Sequence, residues 1–311
     1  MPDLIRPSTA QSEARPALDT ADPRSLSRRF GRRALIGVVV LALALGGISL
    51  WNGRRADPTG ADIQASPGWS ASTTPVPDGI GHIHALVRNP RTGQTLAATH
   101  NGLVELTRTG SATLVGAARD DLMGLAADAN GTLWASGHPA AATSTATSLG
   151  LIRSTDGGVT WVDVSRRDVT DFHALTVRGS TVIGASGDSL LTSVDGGITW
   201  AAGARTAVGT LTLDTSALWV TTPEGLQRSN DNGRTLIPVQ DAPALVMGAL
   251  APDKTVWGST RSGAIMRWLG DRWDTVATVK PGEQIESILG ISASEVLVTT
   301  PTRLIWIAAE S

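Results

Sequence analysis

Five histidines, His82, His84, His100, His138 and His173, are all that this 311-residue chain contains. Imidazole changes charge near neutral pH and ligates metals, so these are the residues best suited to chemistry. His82 and His84 sit in the stretch G-H-I-H-A-L. On a strand, residues two apart share a face, so both rings would point the same way. Asp121, Asp171 and Glu286 fall at matching places further along. Imidazoles beside carboxylates can hold Zn²⁺ or another divalent ion, hydrogen-bond a polar ligand such as a sugar, or move protons. The expected ligand-binding set is therefore His82, His84, His100, His138, His173, Asp121, Asp171 and Glu286. His82, His84 and His173 are the candidate metal ligands, and Asp121 and Asp171 the candidate catalytic carboxylates. The alternative is that these groups only cap strand ends and satisfy polar groups in a channel.

What would bring them together is a repeat. Six segments align: 81–117, 120–165, 170–204, 206–240, 243–277 and 283–310. Each opens on an apolar run, such as I-H-A-L-V or F-H-A-L-T-V. A short turn leads to a second strand, such as T-L-W-A-S-G or A-L-W-V-T-T, and a third strand follows. Repeats of about 35–45 residues with four short strands describe the blades of a β-propeller. The expectation is an all-β, single six-bladed β-propeller, with seven blades as the alternative count. The last segment lacks a fourth strand, and the stretch from about Pro67 to Pro77 can supply it and close the ring. In this alignment His84, Met123, His173, Gly209, Met247 and Glu286 share one position near the start of the first strand. His82, Asp121, Asp171, Ala207, Leu245 and Gln284 lie two residues earlier. His100 and His138 lie at or one past the end of second strands. First strands start at the face where second strands end, so the register predicts one crowded channel mouth.

The turn after the third strand repeats an octapeptide: S-T-D-G-G-V-T-W, S-V-D-G-G-I-T-W and S-N-D-N-G-R-T-L. Its positions are Ser154, Asp156, Gly158, Thr160 and Trp161; Ser193, Asp195, Gly197, Thr199 and Trp200; and Ser229, Asp231, Gly233 and Thr235. Gly and Asn accept positive φ, and Asp, Ser and Thr can bond backbone N–H groups inside a turn. These residues are expected to be structural, at the face opposite the histidines. The pattern S-x-D-x-G-x-T-W resembles the Asp-box, or BNR repeat, of sialidases, two-domain xyloglucanases, sortilin-type receptors and a photosystem II assembly family. What the resemblance implies is the propeller fold, which those families share without sharing a reaction. G-H-I-H-A-L, A-A-T-H-N-G-L, D-D-L-M-G-L, A-S-G-H-P and D-F-H-A-L further resemble a bacterial group of exported single-propeller Asp-box proteins, often labelled glycosylhydrolase or exo-sialidase. That second resemblance covers residues 80–200.

The chain has no Cys, so disulfides, thiolate metal sites and lipid attachment through Cys are excluded. Residues 56–311 carry a net charge of −7, which gives no footing for nucleic acid. Residues 34–51, A-L-I-G-V-V-V-L-A-L-A-L-G-G-I-S-L-W, carry no charge and are long enough to span a thin bilayer as a helix. Arg28, Arg29, Arg32 and Arg33 precede them. The positive-inside bias then puts the N-terminus in the cytoplasm and the rest outside. The expected organisation is a disordered cytoplasmic tail at 1–33, an uncleaved transmembrane anchor at 34–51, a linker and ring-closing strand at 52–80, and the propeller at 81–311.

Sialidases of the retaining type use a Tyr nucleophile, and this chain has no Tyr. Two-propeller xyloglucanase chemistry needs a second propeller, for which there is no room. The reading that remains is a membrane-anchored extracytoplasmic binding or assembly module with a glycan, peptide or protein ligand. The runner-up is a glycoside hydrolase on the same face. A divalent metal is the candidate cofactor, and the cell membrane is the expected partner of the N-terminal helix.

Overall fold

The computed structural model describes residues 63–140 and 146–310. Two strands come first: β1 (Ile63–Ala65) and β2 (Trp69–Pro75). Blade 1 is β3 (Ile83–Arg88), β4 (Thr95–Thr99), β5 (Gly102–Leu106) and β6 (Ala112–Leu114). Blade 2 is β7 (Asp121–Ala127), β8 (Leu133–His138), β9 (Leu151–Ser154) and β10 (Val162–Ser165). Blade 3 is β11 (Ala174–Arg178), β12 (Thr181–Ser186), β13 (Ser189–Ser193) and β14 (Ala201–Arg205). Blade 4 is β15 (Leu211–Leu213), β16 (Leu218–Thr222), β17 (Gly225–Ser229) and β18 (Ile237–Pro238). Blade 5 is β19 (Leu245–Leu250), β20 (Val256–Thr260), β21 (Ala264–Trp268) and β22 (Trp273–Val279), and blade 6 contains β23 (Ser287–Ser292), β24 (Glu295–Thr299) and β25 (Arg303–Ala309). All blades are antiparallel meanders, and the innermost strands β3, β7, β11, β15, β19 and β23 neighbour one another in a closed ring of six.

The ring closes with the N-terminal segment. β2 pairs with β25 along its full length, from Trp69↔Ala309 to Pro75↔Arg303, and so forms the outer strand of blade 6. Closure of this kind leaves no open sheet between the first and last blades. Part of the expected linker is therefore sheet. β1 adds a fifth strand to blade 5 through Ile63↔Val279, which the repeat pattern did not anticipate.

The core lies between blades. One layer joins Trp257, Ile265 and Val276 of blade 5 to Ile288, Val298 and Ile305 of blade 6, with Trp69 of β2. Another joins Ile83, Leu86 and Val104 of blade 1 to Leu297, Leu304 and Trp306 of blade 6. Second strands are covered on both faces, and every residue of β4 is buried. That sandwiching is why their sequences do not alternate in polarity. Two glycines make room for aromatic rings: a Cβ on Gly184 would meet Phe172 Cδ1 at 2.3 Å, and one on Gly290 would meet Trp257 Cδ1 at 2.7 Å.

Three turns repeat one hydrogen-bond pattern. Ser154 Oγ donates to Asp156 Oδ1 (2.7 Å) and accepts Gly158 N (2.8 Å), while Asp156 accepts Thr160 N (3.0 Å) and Thr160 Oγ1 (2.6 Å). The turns at Ser193–Thr199 and Ser229–Thr235 make the same bonds. Bonds from Thr and Ser hydroxyls and from backbone N–H groups hold the carboxyls of Asp156 and Asp231 down to about 2, and that of Asp195 well below the usual range. Gly158 and Gly197 have positive φ and also abut the preceding blade, where a Cβ would meet Leu103 Cδ2 at 2.1 Å and Leu151 Cδ2 at 2.2 Å. Trp200 stacks on Phe172 at 4.8 Å, and its Nε1 donates to Ser165 Oγ and Gly197 O.

No helix among the described residues is long and apolar enough to cross a membrane. The expected tail (1–33), anchor (34–51) and first part of the linker (52–62) lie outside the described residues.

Candidate functional site: an imidazole–carboxylate mouth

Strand register decides which residues meet at each end of the ring. In blade 2, Asp121 is opposite His138 at one end of the β7–β8 ladder, while Leu133 is opposite Ser154 at the other. The histidines and the repeated Ser-x-Asp turns therefore occupy opposite faces. His173 N bonds Ala185 O, Gly209 N bonds Thr221 O, and Glu286 N bonds Thr299 O, so these residues hold equivalent places at the mouth in blades 3, 4 and 6. Blades 1, 2 and 5 differ by a β-bulge. The pairs Ile83↔Thr99 and Ala85↔Ala98 leave His84 as the extra residue; Met123 and Val246 are the extra residues in the other two. The match of Met247 to Met123 is corrected to Val246 by this register. Bulges re-aim side chains at strand ends, and here one re-aims His84.

All five histidines and three carboxylates engage at this mouth, in three groups. His82 Nδ1 lies 2.5 Å from Glu286 Oε1 across the junction of blades 1 and 6, and Ile83 N donates to Glu286 Oε2 (3.3 Å). His84 Nε2 and His100 Nδ1, both from blade 1, lie 3.4 Å apart and approach Asp121 of blade 2 at 3.4 Å (Oδ1) and 3.0 Å (Oδ2). His138 Nε2 (3.1 Å) and His173 Nε2 (2.6 Å) converge on Asp171 Oδ2, and His138 Nδ1 lies 3.1 Å from Thr147 O. Each Asp thus takes an imidazole from the preceding blade. Asp121 Oδ1 and Asp171 Oδ1 are buried atoms without a hydrogen-bond partner, and His84 Nε2 stands 3.4 Å from the first.

Electrostatics follow from these contacts. Burial pushes the Asp121 carboxyl up, but the neighbouring His84 and His100 outweigh it and hold the group below the usual carboxylate range. Hydrogen bonding to Asp171 raises His173 above the ordinary imidazole value against the opposing effect of burial, with the charges of Asp171 and Asp121 adding to the rise.

The three residues expected to ligate a metal, His82, His84 and His173, do not share a site. His82 is taken by Glu286 and His173 by Asp171. Among the described residues, the ligand atoms that lie within 4.8 Å of one another are those of His84, His100 and Asp121. The mouth opens on a central channel of about 520 Å³, lined by innermost strands of all six blades and bordered by His84 and His173. Arg88, Arg178, Lys254, Asp128 and Asp214 line its other end. Reasoning from histidines passed over them, although Arg88 and Arg178 stand at equivalent ends of first strands.

No family model matches the sequence, and no curated protein matches it. Solved structures do. A gluconolactonase from Xanthomonas campestris aligns with 77% of this chain and 90% of its own at a TM-score of 0.59 and 12% identity. A protein provisionally described as a gluconolactonase aligns over 83% and 97%, at 0.58 and 15%. A GH74 enzyme from Niastella koreensis aligns over 75% of this chain but 44% of its own length, at 0.53 and 14%. At such identities the likeness is one of fold: the chain is a six-bladed β-propeller.

Proposed function

We propose that this chain is an Asp-box propeller acting as an extracytoplasmic binding module, held at the membrane by residues 34–51, with the imidazole–carboxylate mouth as its working site. The observation that carries the reading is the gathering of every histidine with Asp121, Asp171 and Glu286 at one end of a closed channel. Strand capping alone needs no such concentration, and no histidine lies at the opposite face. Polar, partly exposed donors and acceptors at the end of a channel of about 520 Å³ suit a glycan or a peptide. The full chain in detergent, applied to defined glycan and peptide arrays with and without a chelator, tests this. Binding lost in Asp171→Asn and His173→Ala supports the reading; binding that both variants retain overturns it.

A second reading is favoured by the His173–Asp171 contact, in which a carboxylate raises an imidazole's proton affinity as general acid–base chemistry requires. Enzymes among the structural neighbours make hydrolysis of a sugar derivative the natural assay. Turnover of aryl glycosides or aldonolactones that vanishes in Asp171→Asn would favour this reading over simple binding.

A further inference from the structure

We infer that His84, His100 and Asp121 form a three-ligand site for a divalent transition ion, with a zinc-like preference and an open coordination position. The inference rests on the mouth being the working site, and it names what anchors a ligand there.

Distances carry the argument. Zinc bonds imidazole nitrogen at about 2.0–2.1 Å and carboxylate oxygen at about 2.0–2.2 Å. Two such ligands at the tetrahedral angle stand roughly 3.3–3.5 Å apart, while cis ligands of an octahedron stand roughly 2.9–3.0 Å apart. The observed edges are 3.4 Å (His84 Nε2 to His100 Nδ1), 3.4 Å (His84 Nε2 to Asp121 Oδ1) and 3.0 Å (His100 Nδ1 to Asp121 Oδ2). The two His84 distances have the length of a tetrahedral edge and the His100–Asp121 distance is shorter; the two carboxylate contacts end on different oxygens, and one ligand atom from each of the three residues lies within 4.8 Å of the others. The His84 and His100 rings are perpendicular, with centroids 4.4 Å apart.

Hydrogen bonding explains this triangle less well. Two imidazole nitrogens that face each other can share only one proton, and each also faces the carboxylate. Asp121 Oδ1 is left buried and unpartnered. A cation held by the two nitrogens and a carboxylate oxygen would satisfy them together, and a buried unpaired acceptor otherwise costs free energy. The neighbouring groups are arranged differently, although Asp171 Oδ1 is likewise buried without a hydrogen-bond partner. His82–Glu286 is a closed pair, His173 bonds Asp171 Oδ2, and His138 Nε2 lies 3.1 Å from the same oxygen.

Two nitrogens and one carboxylate oxygen suit zinc better than calcium or magnesium. Three protein ligands leave a position for water or for an oxygen of a bound molecule. His84 borders the channel, so that position is accessible from the mouth. The class of ligand this favours carries an exposed carboxylate or a pair of hydroxyls.

The test is calorimetry of the full chain in detergent, freed of metal by chelator and titrated with Zn²⁺, with Co²⁺ absorption as a second readout. One ion should bind per chain, and cobalt should give the strong visible bands of a tetrahedral site. Affinity should fall at least about tenfold in His100→Ala and in Asp121→Asn. It should hold in His138→Ala, which removes an imidazole of the same mouth from outside the triad. Metal-free melting of each variant controls for misfolding. The absence of saturable zinc binding, or an equal loss in His138→Ala, overturns the inference. Array binding that persists in chelator while zinc fails to bind overturns it and leaves the binding module standing.

Discussion

Replacing Trp69 by Ala should cost about 3–5 kcal/mol of stability, because the N-terminal strand is a working part of the ring. Trp69 opens β2 and is 8% exposed, packed among Trp257, Val276, Ile288 and Ile307. An indole removes roughly 150–250 Å² from water. At about 25 cal/mol per Å² this is roughly 4–6 kcal/mol. The Trp69 and Trp257 rings meet edge to face, with centroids 5.9 Å apart and planes at 88°, a contact of about 0.5–1.5 kcal/mol. The Arg267 guanidinium, 4.8 Å from the ring centroid, would regain some hydration and return part of that sum. Urea unfolding followed by circular dichroism measures the change, with Ser70→Ala as control. The Ser70 hydroxyl makes one exposed 3.3 Å bond to Ala308 O and should matter by less than about 0.5 kcal/mol. Glu286 of blade 6 faces His82 of blade 1, so loosening blade 6 should also weaken ligand binding at the mouth. A Trp69→Ala chain as stable as the parent, beside a Trp257→Ala chain that loses about 3–5 kcal/mol, would refute the closure argument.

Other outcomes follow from the same contacts. Ser193→Ala removes the partner of buried Gly197 N and should cost about 1–3 kcal/mol in urea unfolding, with binding at the opposite mouth unchanged. Asp156 and Asp231 have folded pKa values of about 2, below the ordinary carboxylate value of about 3.9. Their stabilisation is present above pH ~4 and lost as pH falls towards 2, so the melting temperature should drop more steeply over that range in the parent than in Asp156→Asn/Asp231→Asn. His173 has the opposite sign: its raised pKa stabilises the fold below pH ~6.5 and this is lost as pH rises through the folded value, a dependence that Asp171→Asn should flatten. Release of methylumbelliferone from its sialoside should stay at background, since no Tyr exists to act as nucleophile, and turnover that survives repurification would contradict this. Protease added to intact cells should remove the propeller while a membrane-associated fragment containing residues 34–51 remains; protection of the propeller in unlysed cells would reverse the topology.

The blades were legible because their punctuation is local. Asp-Gly-Gly and Asp-Asn-Gly turns announce themselves through residues that tolerate positive φ, and Gly157, Gly158, Gly196, Gly197 and Asn232 all adopt it. Strand pairs such as Val182↔Ser193 follow from turns a few residues away. β1 was not legible for the converse reason. Ile63–Ala65 pairs with Thr278 and its neighbours, more than two hundred residues on, and three residues carry no period. β2 could be foreseen only because the sixth repeat came up one strand short. The one-residue error in blade 5 has a backbone origin: the bulge at Val246 inserts a residue that no composition rule marks.

At the mouth, the repeat could say which residues share a face but not which of them touch. Partner choice depends on which blade a side chain leans towards, and sequence register is blind to that. His100 and His138 occupy similar places at the ends of second strands, and each reaches forward to the Asp of the next blade. His82 instead reaches back to Glu286 of blade 6, the junction that exists only because the ring closes. Of the three expected metal ligands, His82 and His173 are each drawn off by a nearer carboxylate, and the bulge turns His84 towards His100. The chemistry at this mouth is therefore a property of the junctions between blades: moving a histidine by two residues along its strand would keep its face and lose its partner.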